Sequence, residues 1–205
     1  MRTFGLMLLS LPLNENSKRL CNRGVWLGRM ARDLPFKAKR AILIFFCAWL
    51  VVVLAAPYAL SSGSVTDLSG RAGTVDNSGI IDRMNPFSAA VYLIGDANCH
   101  QLSERSLYLN GNQMPFCARD VGIFLGLAIG MLMVLLVSPR FSWIVLIVLV
   151  VPILIDGGVQ YVGGDYESSN ALRLLTGALG GVAASYFLGF VVDRSLTVQH
   201  TATEG

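Results

Sequence analysis

Four stretches of this chain are apolar throughout, without the polar stripe that a helix on a soluble domain shows to water. Residues 41–60 (AILIFFCAWLVVVLAAPYAL), 121–138 (VGIFLGLAIGMLMVLLVS), 141–155 (FSWIVLIVLVVPILI) and 174–192 (LLTGALGGVAASYFLGFVV) carry no charged side chain. An α-helix rises about 1.5 Å per residue, so about 20 such residues cross a hydrocarbon core about 30 Å thick. The pattern predicts an all-α integral membrane four-helix bundle, with spans at about 41–60, 118–138, 141–162 and 170–192. A basic segment (1–40) precedes this membrane domain (41–193), and a short tail (194–205) follows it.

Between the first two spans, residues 61–85 are rich in Ser, Gly, Asp and Asn and have no helical period. They read as a solvent-exposed loop. Pro86 then introduces an apolar run, Phe87 to Ile94, too short to span. It reads as a short interfacial or re-entrant helix, or as a buried prop beneath the loop. Gly122, Gly126 and Gly130 recur every four residues in the second span, and Gly177, Gly181, Ser185 and Gly189 do so in the fourth. Small residues at this interval share a helix face and let two backbones approach closely, so spans two and four are expected to pack together or on a common neighbour.

Composition supports a membrane protein: 54% of the 205 residues are hydrophobic and 14% are charged. The net charge of +3 matters less than its placement. Arg2, Lys18, Arg19, Arg23, Arg29, Arg32, Lys37, Lys39 and Arg40 all precede the first span. Basic flanks are retained inside, which predicts cytoplasmic termini and places the 61–117 and 157–169 loops outside. So close to a span, this basic segment reads as a topology signal rather than a nucleic-acid-binding arm, and no nucleic-acid partner is expected. The apolar run from Phe4 to Leu13 lacks a small-residue cleavage site, so it reads as an extension rather than a removed leader. Met1 and Met30 are alternative starts.

Two polar clusters fall at the outer ends of the spans. The first runs from Cys99 and His100 through Arg105 to Cys117, Arg119 and Asp120; the second holds Asp156, Gln160, Asn170 and Arg173. Polar groups at membrane depth are costly and are usually retained for a reason. Cys47, inside the first span, reads as a small packed residue. Cys99 and Cys117 admit three readings. With His100 and Asp120 they make an acceptable ligand set for zinc or another divalent metal. They could instead form a disulfide, which an oxidising exterior permits. Thirdly, His100 could activate a reactive thiol.

Arg119 and Arg173 both fall in the first turn of a helix, the end where the dipole disfavours a cation. Asp156 comes about fourteen helical residues into the third span, roughly 21 Å deep at 1.5 Å per residue, and Gln160 shares its face. Asp156 is therefore the expected partner of Arg173, with Asp165 and Glu167 as exposed alternatives. Gly157 and Gly158 are expected to loosen or break the third span near its outer end.

These residues also carry a resemblance. CHQLSERSLYLNGNQMPFCARDVGIFLG (99–126), PILIDGGVQ (152–160) and ESSNALRLLTGALGG (167–181) resemble, in that order, a family of small prokaryotic membrane proteins, domain of unknown function 2085. The resemblance covers roughly residues 87–190. It implies the same outer-face clusters in the same membrane frame, and no established activity. Many members of that family read Cys-x-x-Cys where this chain has Cys117-Ala118-Arg119-Asp120. That pattern raises the weight of metal binding, and the missing fourth sulfur here leaves open an oxygen ligand or a plain disulfide.

The reading that follows is a membrane-embedded enzyme or redox protein with a metal or thiol pair among Cys99, His100, Cys117 and Asp120. Arg105, Arg119, Gln160, Asn170 and Arg173 would hold an anionic or lipid-like substrate, and His100 or Asp156 would act as a base. The competing reading is a non-catalytic membrane component, a small carrier or complex subunit, with a structural Cys99–Cys117 disulfide. Either form could oligomerise. The inner halves of spans two to four are nearly uniformly apolar, which argues against a transport path through one copy.

Overall fold

A computed structural model describes residues 15–162 and 168–202, with side-chain environments for 34–160 and 168–196. The chain runs α1 (Glu15–Ala55), a short 3₁₀ turn (Ala56–Ala59), α2 (Ser78–Ile81), α3 (Pro86–Asn98), β1 (Ser106–Leu109), β2 (Asn112–Cys117), α4 (Ala118–Val137), α5 (Trp143–Val162) and α6 (Asn170–Ala202). Four segments are long and apolar enough to cross a membrane: Leu34–Ala59, Ala118–Val137, Trp143–Gln160 and Asn170–Leu196. They form the four-helix frame expected from the hydrophobic pattern. A two-stranded hairpin is added to it.

α4 and α6 make the most extensive contact in the structure, and its cause is the two small-residue stripes. A Cβ on Gly126 would run into the Ala178 carbonyl oxygen, and one on Gly122 into that of Leu174. From the other side, a Cβ on Gly181 would meet the Ile123 carbonyl oxygen, and one on Gly177 that of Arg119. Close backbone approach maximises dispersion contact where lipid offers no hydrophobic drive. Ser185 adds a hydrogen bond to the Leu127 carbonyl at 2.7 Å. At one end of the bundle Lys39, only 5% exposed, pairs with Asp193 at 2.9 Å and ties α1 to α6. At that same end the Tyr186 hydroxyl closes the α4–α5 turn by donating to the Arg140 carbonyl at 2.8 Å and accepting from the Ser142 N–H at 2.6 Å.

The opposite end is organised by the segment between α1 and α4. Residues 61–85 were expected to be an exposed loop, but Val65, Leu68, Asn77 and Ile81 are buried there. Val65, Leu68 and Ile81 join Val91, Tyr92, Met114 and Phe116 in a core that continues into α1 and α4. Polar side chains substitute for regular structure in satisfying this loop. The Asn112 carboxamide accepts from the Val65 N–H and donates to the Pro57 carbonyl. Gln113 accepts from the Leu68 N–H at 2.8 Å and donates to the Gln101 carbonyl at 2.6 Å. Buried backbone groups need such partners, so these two residues fix the loop's path.

α3 begins with Pro86 in its first turn and Asn85 accepting from the Ser88 N–H at 3.0 Å, a conventional cap. Its inner face (Ser88, Val91, Tyr92) packs beneath the loop, and Phe87, Leu93 and Ile94 are exposed. The hairpin turns at Asn110 (φ 53°) and Gly111 (φ 70°), the paired positive φ values that match strand twist in a two-residue turn.

Candidate functional site

Both predicted clusters lie at the hairpin end of the bundle. Cys99 caps the C-terminus of α3, and Cys117 ends β2 as the N-cap of α4. Gln101 brings the two together by donating to the Pro115 carbonyl at 2.8 Å, and the Cys117 N–H donates to Cys99 Sγ at 3.3 Å. Asp120, in the first turn of α4, accepts from the Cys117 thiol at 3.3 Å. One donor atom from each of Cys99, Cys117 and Asp120 lies within 4.8 Å of the others. Two sulfurs and one carboxylate suit zinc, and three protein ligands leave a fourth position open.

The sulfurs are not bonded to one another: both thiols are free, which corrects the disulfide reading. Cys117 Sγ is turned towards Asp120 rather than into a bridge with Cys99. The Cys99 thiol hydrogen-bonds to the Cys117 sulfur and holds Cys117 below the ordinary thiol range, against opposing effects of burial and the Asp120 charge. Cys99 keeps the proton, and both this bond and its burial push its own pKa well up. The start of α4 acts in the same sense on Cys117, since a helix N-terminus favours a thiolate.

His100 is not part of the triad. It is exposed while Cys99 is buried. Cys99 has extended backbone (φ −131°, ψ 151°), and successive side chains on extended backbone point to opposite sides. The same geometry separates the imidazole from the thiol it was expected to activate.

The second cluster assembles around Arg119. Its Nη2 donates to Asp156 Oδ2 at 2.5 Å and to Gln160 Oε1 at 3.0 Å, which joins α4 to α5. This corrects the expected Asp156–Arg173 pair. The reason is glycine. Gly177 lets the α4 backbone at Arg119 lie against α6, since a Cβ there would meet the Arg119 carbonyl oxygen, and the Arg119 guanidinium lies beside Gly157, next to Asp156 in the chain. Arg119 therefore reaches Asp156 first. The helix around Gly157 and Gly158 stays continuous through Val162, so Asp156 and Gln160 present two oxygens one turn apart.

Arg173 is only 4% exposed, and its Nη1 donates to Asn170 Oδ1 at 3.2 Å. Asn170 in turn donates to the Ser106 carbonyl at 3.1 Å, beside Arg105. Thr176 donates to Asp156 at 3.3 Å. Sequence reading missed Thr176, although it lies one turn beyond Arg173 on the same helix. Asp165 and Glu167, the alternative partners for Arg173, lie outside the described residues.

Asn170 joins Arg173 to the carbonyl beside Arg105, Asp156 joins Arg119 to Thr176 one turn from Arg173, and Arg119 is the chain neighbour of Asp120. The thiol and arginine clusters are therefore adjacent. Among the described residues, the buried side-chain nitrogens and oxygens without a hydrogen-bond partner are Nε of Arg105, Arg119 and Arg173, Asp156 Oδ1 and Gln160 Nε2. All five belong to this cluster.

Comparison with known proteins meets the same region. A family profile described as "Predicted membrane protein (DUF2085)" matches residues 99–187, from the first thiol of the triad to the middle of α6. An uncharacterised protein of Methanocaldococcus jannaschii is 30% identical over 106 residues, covering 49% of this chain and 67% of that protein. Another, from Methanothermobacter thermautotrophicus, is 34% identical over 87 residues, covering 41% of this chain and 78% of that protein. The chain belongs to the DUF2085 family. It is a multi-pass membrane protein, and no solved structure matches it. The family match takes in both clusters and the α4–α6 interface, and leaves out α1 and the buried loop that follows it.

Proposed function

We propose that this DUF2085 protein is a membrane enzyme with a divalent metal at Cys99, Cys117 and Asp120, acting on an anionic substrate at the extracytoplasmic face. The observation that carries this reading is the convergence of two sulfurs and a carboxylate at the start of α4, beside partly unsatisfied arginines. Zinc is the natural occupant of two thiolates and one oxygen ligand. Bound there, it would supply Lewis acidity or activate a water in its open position.

The chain's own residues have separable tasks. Cys117, its thiol already biased towards the charged form, is the ligand that needs the smallest further loss of proton. Asp156 holds Arg119 in place, so a substrate entering the site meets a fixed guanidinium rather than a mobile one. The basic segment before the first span supports an arrangement with cytoplasmic termini and the hairpin end outside.

Elemental analysis of detergent-purified protein tests the reading directly. One metal per chain in the wild type, lost in Cys117→Ser with the helical content unchanged, is the expected result. Metal-free wild-type protein purified without chelator would end it. A second reading, a non-catalytic subunit of a larger membrane complex, is favoured by one feature. Only 6% of the apolar span Trp143–Gln160 in α5 is buried within the chain, which leaves nearly its whole length for a neighbouring chain to cover.

A further inference from the structure

We propose that Arg105, Arg119 and Arg173 form a binding site for a phosphate group at the membrane border. The proposal deepens the reading above by naming the substrate class, and rests on it only in taking this cluster as the substrate side of the site.

Three features distinguish the cluster from arginines that merely snorkel to lipid headgroups. First, a snorkelling side chain carries its charge out to the interface, whereas Arg173 is 4% exposed. Secondly, the cluster is built. Asn170 orients Arg173, Asn170 is itself tied to the Ser106 carbonyl, and Arg119 is clamped by Asp156 and Gln160. Thirdly, it is incomplete. Each of the three guanidiniums leaves a buried Nε without an acceptor, and a buried donor left unsatisfied keeps its full desolvation penalty.

Charge points to the same ligand. Three guanidiniums gather where Asp156 is the one carboxylate within hydrogen-bond distance of any of them among the described residues. Glu104 lies 3.8 Å from Arg105 Nε, beyond hydrogen-bond length, and is more than half exposed. Holding like charges together is unfavourable unless an anion neutralises them. A carboxylate is planar, and one bidentate arginine satisfies it. Donors arriving from three different elements, the turn before β1, the start of α4 and the start of α6, suit a tetrahedral oxyanion instead. α4 and α6 also begin here, and their positive dipole ends favour a phosphate. The depth suits it too, since the outer ends of the spans lie where headgroup phosphates begin. The phosphate could belong to a phospholipid diester or to a soluble phosphate compound, which the same donors would recognise.

The test uses the full chain, purified in detergent, stripped with chelator, and titrated with inorganic phosphate by calorimetry. In parallel, the protein is equilibrated in mixed vesicles of phosphatidylglycerol and phosphatidylcholine, and retained lipid is measured by native mass spectrometry. Saturable phosphate binding, or selective retention of phosphatidylglycerol, is expected. Either should weaken at least tenfold in Arg105→Ala and Arg173→Ala but not in Arg194→Ala at the far end of the bundle. Arg105 is partly exposed, so its variant keeps the test sound if Arg173→Ala fails to fold. Phosphate binding without lipid selectivity identifies a soluble ligand, and the reverse identifies a lipid. Absence of both, or equal binding by the Arg105 and Arg173 variants, overturns the proposal. So does binding that emerges only in Asp165→Asn/Glu167→Gln, because the chain's own acids would then fill the site. Because the metal is removed beforehand, a negative elemental analysis leaves this result standing, and the converse also holds.

Discussion

Arg119 in the first turn of α4 and Asp156 in the last third of α5 form an ion pair with an Nη2–Oδ2 distance of 2.5 Å, and Asp156 is 4% exposed. Each corrects a fault in the other. Arg119 sits at the dipole end that repels a cation, and Asp156 sits where an unpaired carboxylate would lack water. Removing one partner of a buried pair typically costs about 3–5 kcal/mol, because the other charge is left uncompensated. Asp156→Ala and Arg119→Ala should therefore each lower the unfolding midpoint in detergent markedly, with the double variant milder than their sum. A double-mutant cycle with additive losses would mean the two do not interact. The corresponding cycle between Asp156 and Arg173 should show the smaller coupling.

The α4–α6 contact depends on absent side chains. A Cβ at Gly126 or Gly181 meets backbone atoms that cannot rotate away. Gly126→Ala and Gly181→Ala should each destabilise the protein by about 1–3 kcal/mol through overpacking. Gly158→Ala is the internal control, because a Cβ there meets nothing within 4 Å. Steric-trap or denaturant titration in micelles would rank the three, and equal stabilities would refute the packing account.

Thiol reactivity should follow proton placement in chelator-treated protein. Cys117 is held below the ordinary thiol range chiefly by the Cys99 thiol, and Cys99 is pushed up. Cys117 thus remains thiolate at pH values where a free cysteine is protonated. Its alkylation by a small maleimide should outpace that of Cys99 near neutrality and fall only as the pH drops through its lowered pKa. Cys99→Ala removes the donor, so the Cys117 rate profile should move to higher pH. An unmoved profile would show that Cys99 does not set it.

Orientation can be read from two engineered thiols. Ser62 lies in the loop at the hairpin end and Ser138 at the opposite end, and both are exposed. With the basic segment retained inside, an impermeant thiol reagent on intact cells should add a label in Ser62→Cys and none in Ser138→Cys. The opposite result would place the site on the cytoplasmic face.

The membrane frame was legible in the sequence because a bilayer imposes a one-dimensional constraint: enough consecutive apolar residues must appear in order, whatever packs beside them. The Gly122/126/130 and Gly177/181 stripes were legible for a similar local reason, since a four-residue interval defines a helix face before any partner is known. The Asn110-Gly111 hairpin was legible too, because two residues that tolerate positive φ join two short runs able to pair as strands. Other features required the third dimension. Residues 61–85 look like loop by composition, and only the carboxamides of Asn112 and Gln113, some 45 residues away, show how their backbone is satisfied in a buried core. Asp156 needed a cation, and helix position pointed to Arg173, although Arg119 also sits in a first helical turn. Tertiary structure chose Arg119, because Gly177 lets the α4 backbone at Arg119 lie against α6, an approach that no spacing rule records. His100 beside Cys99 suggested a ligand pair, and extended backbone sent the two side chains to different environments. Sequence identified the end of the bundle where the polar clusters gather; close packing decided which charge meets which.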